Sequence, residues 1–121
     1  EPLKISILEE KARIPETVAM LGEKYGAELN IYASSEYSID LNAYEVSKGH
    51  TLARLAGLLG IRREEVMAAG NAENDLDMIR YAGVGVAMGN APPAVRQAAD
   101  LLAGDNNEDG LAFLLKDYFG V

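Results

Sequence analysis

From Ser47 onward the chain repeats one order three times: a short apolar run, a polar loop, then apolar residues at helical spacing. The clearest instance is Val66 to Met78, VMAAGNAENDLDM. Val66, Met67, Ala68 and Ala69 stop at Gly70, the polar cluster Asn71, Glu73, Asn74 and Asp75 follows, and Leu76, Met78 and Ile79 restart an apolar face. That order predicts a buried strand, a tight loop at its carboxyl end and a helix leaving the loop. Next, Val84, Val86 and Met88 alternate as a strand, Asn90 through Pro93 form a polar loop with proline placed to begin a helix, and Val95 and Ala98 give that helix an apolar face. The third instance runs from Leu101-Leu102 through GDNNEDG to a helix carrying Leu111, Leu114, Leu115 and Tyr118. Residues 48–121 therefore read helix, strand, helix, strand, helix, strand, helix. That is the pattern of an α/β fold, a parallel sheet wrapped by right-handed crossovers. All three loops follow strands and so gather along one sheet edge, where open α/β sheets bind ligands.

The first helix of this series departs from local rules. Ser47 is a good N-cap, and Leu52, Leu55, Ala56 and Leu59 make an apolar stripe that ends at Gly60. Lys48 then falls at the first helical position, where the helix dipole disfavours a cation, beside the poor helix formers Gly49 and His50. Such clustered violations occur where function is carried, although a solvated lysine on a frayed turn gives the same pattern. The single histidine, His50, has no partner at metal-ligand spacing and reads as a surface residue. In the central loop, two amides and two acids could hold a hard cation through oxygen or offer amide donors to a phosphate. The plainer alternative makes Asn74 a helix N-cap with Asp77 a weak capping-box partner.

Residues 1–43 have a different character. Leu3 to Leu8 alternates as a half-buried strand, and Glu9 to Arg13 turns. Pro15 opens a helix with Ile14, Val18, Leu21 and Tyr25 on one face and Gly26 as its stop. Leu29 to Ala33 reads as a second strand. Tyr37, Ile39 and Leu41 alternate with Ser38, Asp40 and Asn42 as a third, with one polar face. The short Ser-Ser-Glu stretch between them predicts an antiparallel pair. The expected boundary separates a small α+β layer, residues 1–43, from the alternating region, residues 44–121.

The net charge of −8 argues against a nucleic-acid surface, which needs clustered Lys and Arg. No window approaches a membrane span, so no membrane partner is expected. The absence of cysteine excludes disulfides and thiolate sites and fits a cytoplasmic setting. Gly83 to Gly89 contains three glycines, but the third falls one residue late for a dinucleotide loop. The chain opens at Glu1 inside what reads as a strand, and is expected to be part of something longer.

Lys48-Gly49 ahead of a helix, Gly70-Asn71-Ala72-Glu73-Asn74-Asp75-Leu76-Asp77-Met78, Ala82 through Ala91, and Asn106 through Gly110 form an ordered set. As a set they resemble the haloacid dehalogenase-like superfamily, and within it the Cof-type sugar-phosphatase branch. The resemblance covers essentially the whole chain. It makes residues 1–43 the last part of an α/β cap domain and residues 44–121 the carboxyl-terminal half of a Rossmann-like hydrolase core. It implies a phosphatase that uses Mg2+ and passes a phosphoryl group through an aspartate on an Asp-x-Asp motif, acting on small phosphorylated metabolites such as sugar phosphates. By the same resemblance, Lys48 contacts the phosphoryl oxygens, Asn74 binds phosphate or orders the site, Asp75 positions the lysine or the metal shell, and Asn71 is a metal ligand.

Two departures accompany it. Asn71 stands where the family normally carries aspartate, which removes a negative charge. No Asp-x-Asp precedes the cap segment, so the chain alone is expected to be inactive, with its nucleophile upstream of Glu1. Such a half is expected to self-associate or to pair with the missing amino-terminal half. The alternative is a non-catalytic α/β module that binds a metabolite or protein through the same loops. A receiver-type signalling domain shares the sheet pattern but needs an acidic pair and a central phospho-acceptor that this sequence lacks.

Overall fold

The computed structural model describes residues 4–121, so Leu3, expected at the start of the first strand, lies outside the described residues. Strands β1 (Lys4–Leu8), β2 (Leu29–Ser35) and β3 (Ser38–Ala43) form an antiparallel sheet in the order β1-β3-β2. Helix α1 (Ile14–Tyr25) begins with Pro15 in its first turn and ends at Gly26. It lays Ile14, Val18 and Leu21 on Ile7, Ile31, Ile39 and Leu41 of the sheet. Ser34 and Ser35, expected in the turn, belong to β2, which shifts register between Ala33 and Ser35.

Because side chains alternate along a strand, all these aliphatic residues fall under α1, and the other face is left to polar ones. The pairings Lys4↔Asn42, Ser6↔Asp40, Tyr32↔Asp40 and Asn30↔Asn42 place all six residues on that second face. The strand with the expected polar face is the central one, so its polar residues are buried: Asp40 is 5% and Asn42 8% exposed. Both are satisfied. Lys4 Nζ lies 2.6 Å from Asp40 Oδ2, Ser6 Oγ donates to Asp40 Oδ1 at 2.7 Å, and Asn42 Nδ2 donates to Tyr32 Oη at 2.8 Å. Burial alone would push the Asp40 carboxyl up. The Lys4 and Ser6 hydrogen bonds and the Lys4 charge outweigh it and hold the carboxyl below its usual value.

The second sheet is parallel. Strands β4 (Met67–Gly70), β5 (Val84–Ala87) and β6 (Leu101–Leu102) run in that order, joined by helices α3 (Leu76–Tyr81) and α4 (Pro93–Ala98). Helix α2 (Lys48–Leu59) precedes it and α5 (Gly110–Phe119) follows. Alternation along β5 feeds two cores. Val84 and Val86 pack with Leu111 and Leu114 of α5, whereas Ala87 packs with Ile79, Ala91 and Val95. The expected α/β architecture, a parallel sheet with helices on both faces, is what the chain adopts.

Of the α2 stripe only Ala56 is buried; Leu55 and Leu59 are 50% and 64% exposed. Helix α2 packs on α3, with Gly49 seated against Asp77. Among the described residues no helix is long and apolar enough to cross a membrane.

Candidate active site

The loops after β4, β5 and β6 meet as expected. Met88 N donates to Gly70 O at 3.0 Å and Gly89 N to Gly104 O at 3.1 Å, tying the three loop roots together. A cavity of about 690 Å3 opens over them, lined by Lys48, Gly70, Asn71, Asp75, Asn106 and Asp109 among others. Asp109 sits at φ 54°, the left-handed region that few non-glycine residues adopt.

Lys48 reaches this cavity from the start of α2. Ser47 Oγ accepts from His50 N at 3.1 Å, so the helix is capped as its sequence predicts. The Lys48 ammonium, half-exposed, is ion-paired with Asp75 Oδ1. Asp75 is 3% exposed, and its second oxygen accepts from Asn71 N at 2.9 Å and Ala72 N at 3.0 Å. One buried carboxylate thus folds the loop and aims the lysine. Asp77 makes the matching contact on the helix itself, accepting from Gly49 N at 2.9 Å. An acid placed at unpaired N–H groups offsets the cost of a cation in the first turn. Two glycines make room for these acids. A Cβ on Gly70 would lie 2.3 Å from Asp75 Cβ, and one on Gly49 would lie 2.7 Å from the Asp77 backbone carbon.

The structure therefore brings Lys48, Asn71 and Asp75 around one cavity. Asn74 faces elsewhere, into a groove of about 360 Å3 shared with Tyr32, Lys48 and Arg80. Its Oδ1 is buried without a hydrogen-bond partner among the described residues. The capping alternative is corrected. Asn74 caps nothing, and Asp77 accepts from Gly49 N of α2 through one oxygen and from Met78 N of its own helix through the other. Sequence reasoning also missed Asn30, whose Nδ2 donates to Tyr44 O at 2.6 Å and ties β2 to the connector that leads into Lys48. No spacing rule links residues that far apart, so neither contact left a signal in the sequence.

The donor set for a divalent cation is incomplete on this chain. Among the described residues no group of three or more His, Cys, Asp or Glu converges as a metal site. Both Asp75 oxygens are occupied, and the other side-chain oxygens on the cavity wall are those of the exposed Asn71, Asn106 and Asp109. These residues alone do not fit a magnesium ion.

Residues 1–115 match the family described as haloacid dehalogenase-like hydrolase. A 5-amino-6-(5-phospho-D-ribitylamino)uracil phosphatase of Bacillus subtilis is 43% identical over 91 residues, 75% of this chain and 36% of its own length. A solved haloacid dehalogenase-like hydrolase of B. subtilis is 34% identical, with TM-score 0.83 over 96% of this chain and 41% of that one. A solved sugar phosphatase of the superfamily's subclass IIB is 26% identical, with TM-score 0.80 over 98% of this chain and 43% of that one. The chain spans less than half the length of the curated relatives it matches.

Proposed function

The chain belongs to the haloacid dehalogenase-like hydrolases, and from that membership we propose that it supplies the lysine half of a phosphatase site that hydrolyses small phosphorylated metabolites, among them sugar phosphates. The observation that carries this reading is Lys48: a half-exposed ammonium at a sheet's ligand-binding edge, held by a carboxylate that is itself buried and fully hydrogen-bonded. A lysine fixed in this way offsets charge that builds on a transferring phosphoryl group without reorganising at the moment of reaction. Asp75 positions it. The buried, unpaired Asn74 oxygen supports a role for that side chain in ordering the site.

The aspartate nucleophile and the carboxylates of a Mg2+ site belong, in this reading, to protein beyond this chain, and Asn71 adds one amide oxygen. When bound, the ion would neutralise phosphoryl charge. Residues 1–43 act as the end of a cap and residues 44–121 as half of the core. The setting is cytoplasmic, with no nucleic-acid or membrane partner. Lys48→Ala in the full-length protein tests the reading. Turnover of a sugar phosphate is expected to fall by about a hundredfold or more, the scale seen when a charge-stabilising donor is removed. Turnover within a few-fold of the parent would refute it.

A non-catalytic module remains as a second reading because Asn71 stands in place of a charged ligand. Its cavity would then hold a phosphorylated metabolite or a protein without turnover.

A further inference from the structure

Two carboxylates on one short stretch grip consecutive residues of α2. Asp75 pairs with the Lys48 ammonium, and Asp77 accepts from the backbone N–H of Gly49 at 2.9 Å. The second Asp77 oxygen accepts from Met78 N at 2.8 Å, so both of its oxygens are engaged. Gly49 is buried, and the approach is too close for a larger residue: an added Cβ would lie 2.8 Å from Asp77 Cγ. Ser47 Oγ serves His50 N within the same turn, and Leu55, Leu58 and Leu59 are exposed. Among the described elements, α3 is therefore the main neighbour that holds α2.

A lysine carries its ammonium on a flexible stem, so an ion pair alone tolerates more than one placement of the helix beneath it. A hydrogen bond to the adjacent backbone amide does not. It sets the register of α2 on α3, and α3 starts at Leu76, directly after Asp75. The backbone that carries Lys48 and the carboxylate that aims it are thereby both referred to one stretch, 75–77. An amide in the first turn of a helix needs an acceptor from outside the helix backbone. Here that acceptor comes from the helix that follows Asp75, which links capping to placement. Misplacing a group that acts on the reacting atoms by about 1 Å costs on the order of a hundredfold in rate.

We propose that Asp77 is a positioning residue for Lys48, acting through Gly49 N. This rests on Lys48 stabilising the phosphoryl group, as proposed above. A double-mutant cycle in the full-length protein tests it, with phosphate release from a sugar phosphate as readout and circular dichroism melts as the check on folding. Asp77→Ala is expected to lower turnover about ten- to hundredfold. In Lys48→Ala, itself about a hundredfold slower, the same change is expected to alter turnover by less than about twofold, because no lysine is left to place. A purely structural role would lower turnover by the same factor in both backgrounds. That result overturns the inference and leaves the lysine site standing, as does an Asp77→Ala protein within about twofold of its parent. Should Asp77→Ala not fold, Asp77→Ser takes its place in the cycle, since its hydroxyl ends short of Gly49 N. A parent that releases no phosphate, or a Lys48→Ala protein as fast as its parent, overturns the reading of the lysine site as well.

Discussion

At the scale of single residues, the site depends on where small and charged side chains sit, and two substitutions probe that. Gly70→Ala would drive its methyl into Asp75, whose Cβ lies 2.3 Å from the position that methyl must take. Overpacking of this kind costs about 1–3 kcal/mol, and here it also displaces the carboxylate that aims Lys48. A melting temperature lowered by several degrees, read by circular dichroism, is the expected outcome; an unchanged one would mean the loop relaxes freely. Asn71→Asp in the full-length protein separates a catalytic protein from a binding module. A phosphatase should gain Mg2+-dependent turnover from the restored charge, whereas a module gains none. Lys48 was legible in the sequence because a lysine in a helix's first turn breaks a local preference. Asp77 was not. It looked like a residue that serves only its own helix, where one oxygen does accept from Met78 N, and the packing of α2 on α3 brings its other oxygen to Gly49.

At the scale of elements, periodicity carried most of the information. The alternation in β3 foretold one polar face, but alternation alone cannot say whether that face meets solvent. Its burial follows from β3 being the central strand, a matter of pairing order. The Lys4–Asp40 pair gives this sheet a pH signature. Asp40 titrates below its usual 3.8 in the folded chain, so its contribution to stability is present above about pH 4 and lost as pH falls through the lowered value. Lys4 titrates above its usual 10.5 because of its hydrogen bond to Asp40, so the pair stays intact on the alkaline side to beyond that value. Thermal melts from pH 7 down to pH 2 should therefore show the gap between the parent and Asp40→Asn shrinking below about pH 4. A gap constant with pH would show that the pair contributes nothing. The leucine stripe of α2 located the helix and its stop at Gly60, while the residues that the helix buries are Gly49 and Ala56.

At the scale of the whole molecule, the described structure leaves much apolar surface uncovered. Leu58 and Leu59 of α2 are 77% and 64% exposed, and Phe113 and Phe119 of α5 are 67% and 62% exposed. The parallel sheet has three strands, the last only two residues long, and its outer strands offer unpaired edges. Parallel sheets are stable when both faces and edges are covered, so this chain should bind itself or the protein that completes the site. Light scattering at high concentration should report more than a monomer; a monodisperse monomer would argue that the exposed leucines are tolerated. The most direct test joins this surface to the chemistry. The chain would be mixed with the separately produced amino-terminal half of its full-length protein, and phosphate release from a sugar phosphate followed with Mg2+ present. Neither half alone should release phosphate, and the mixture should, with Lys48→Ala abolishing the gain. Halves that associate yet stay inactive with Lys48 in place would contradict the claim that this chain carries half of a phosphatase site.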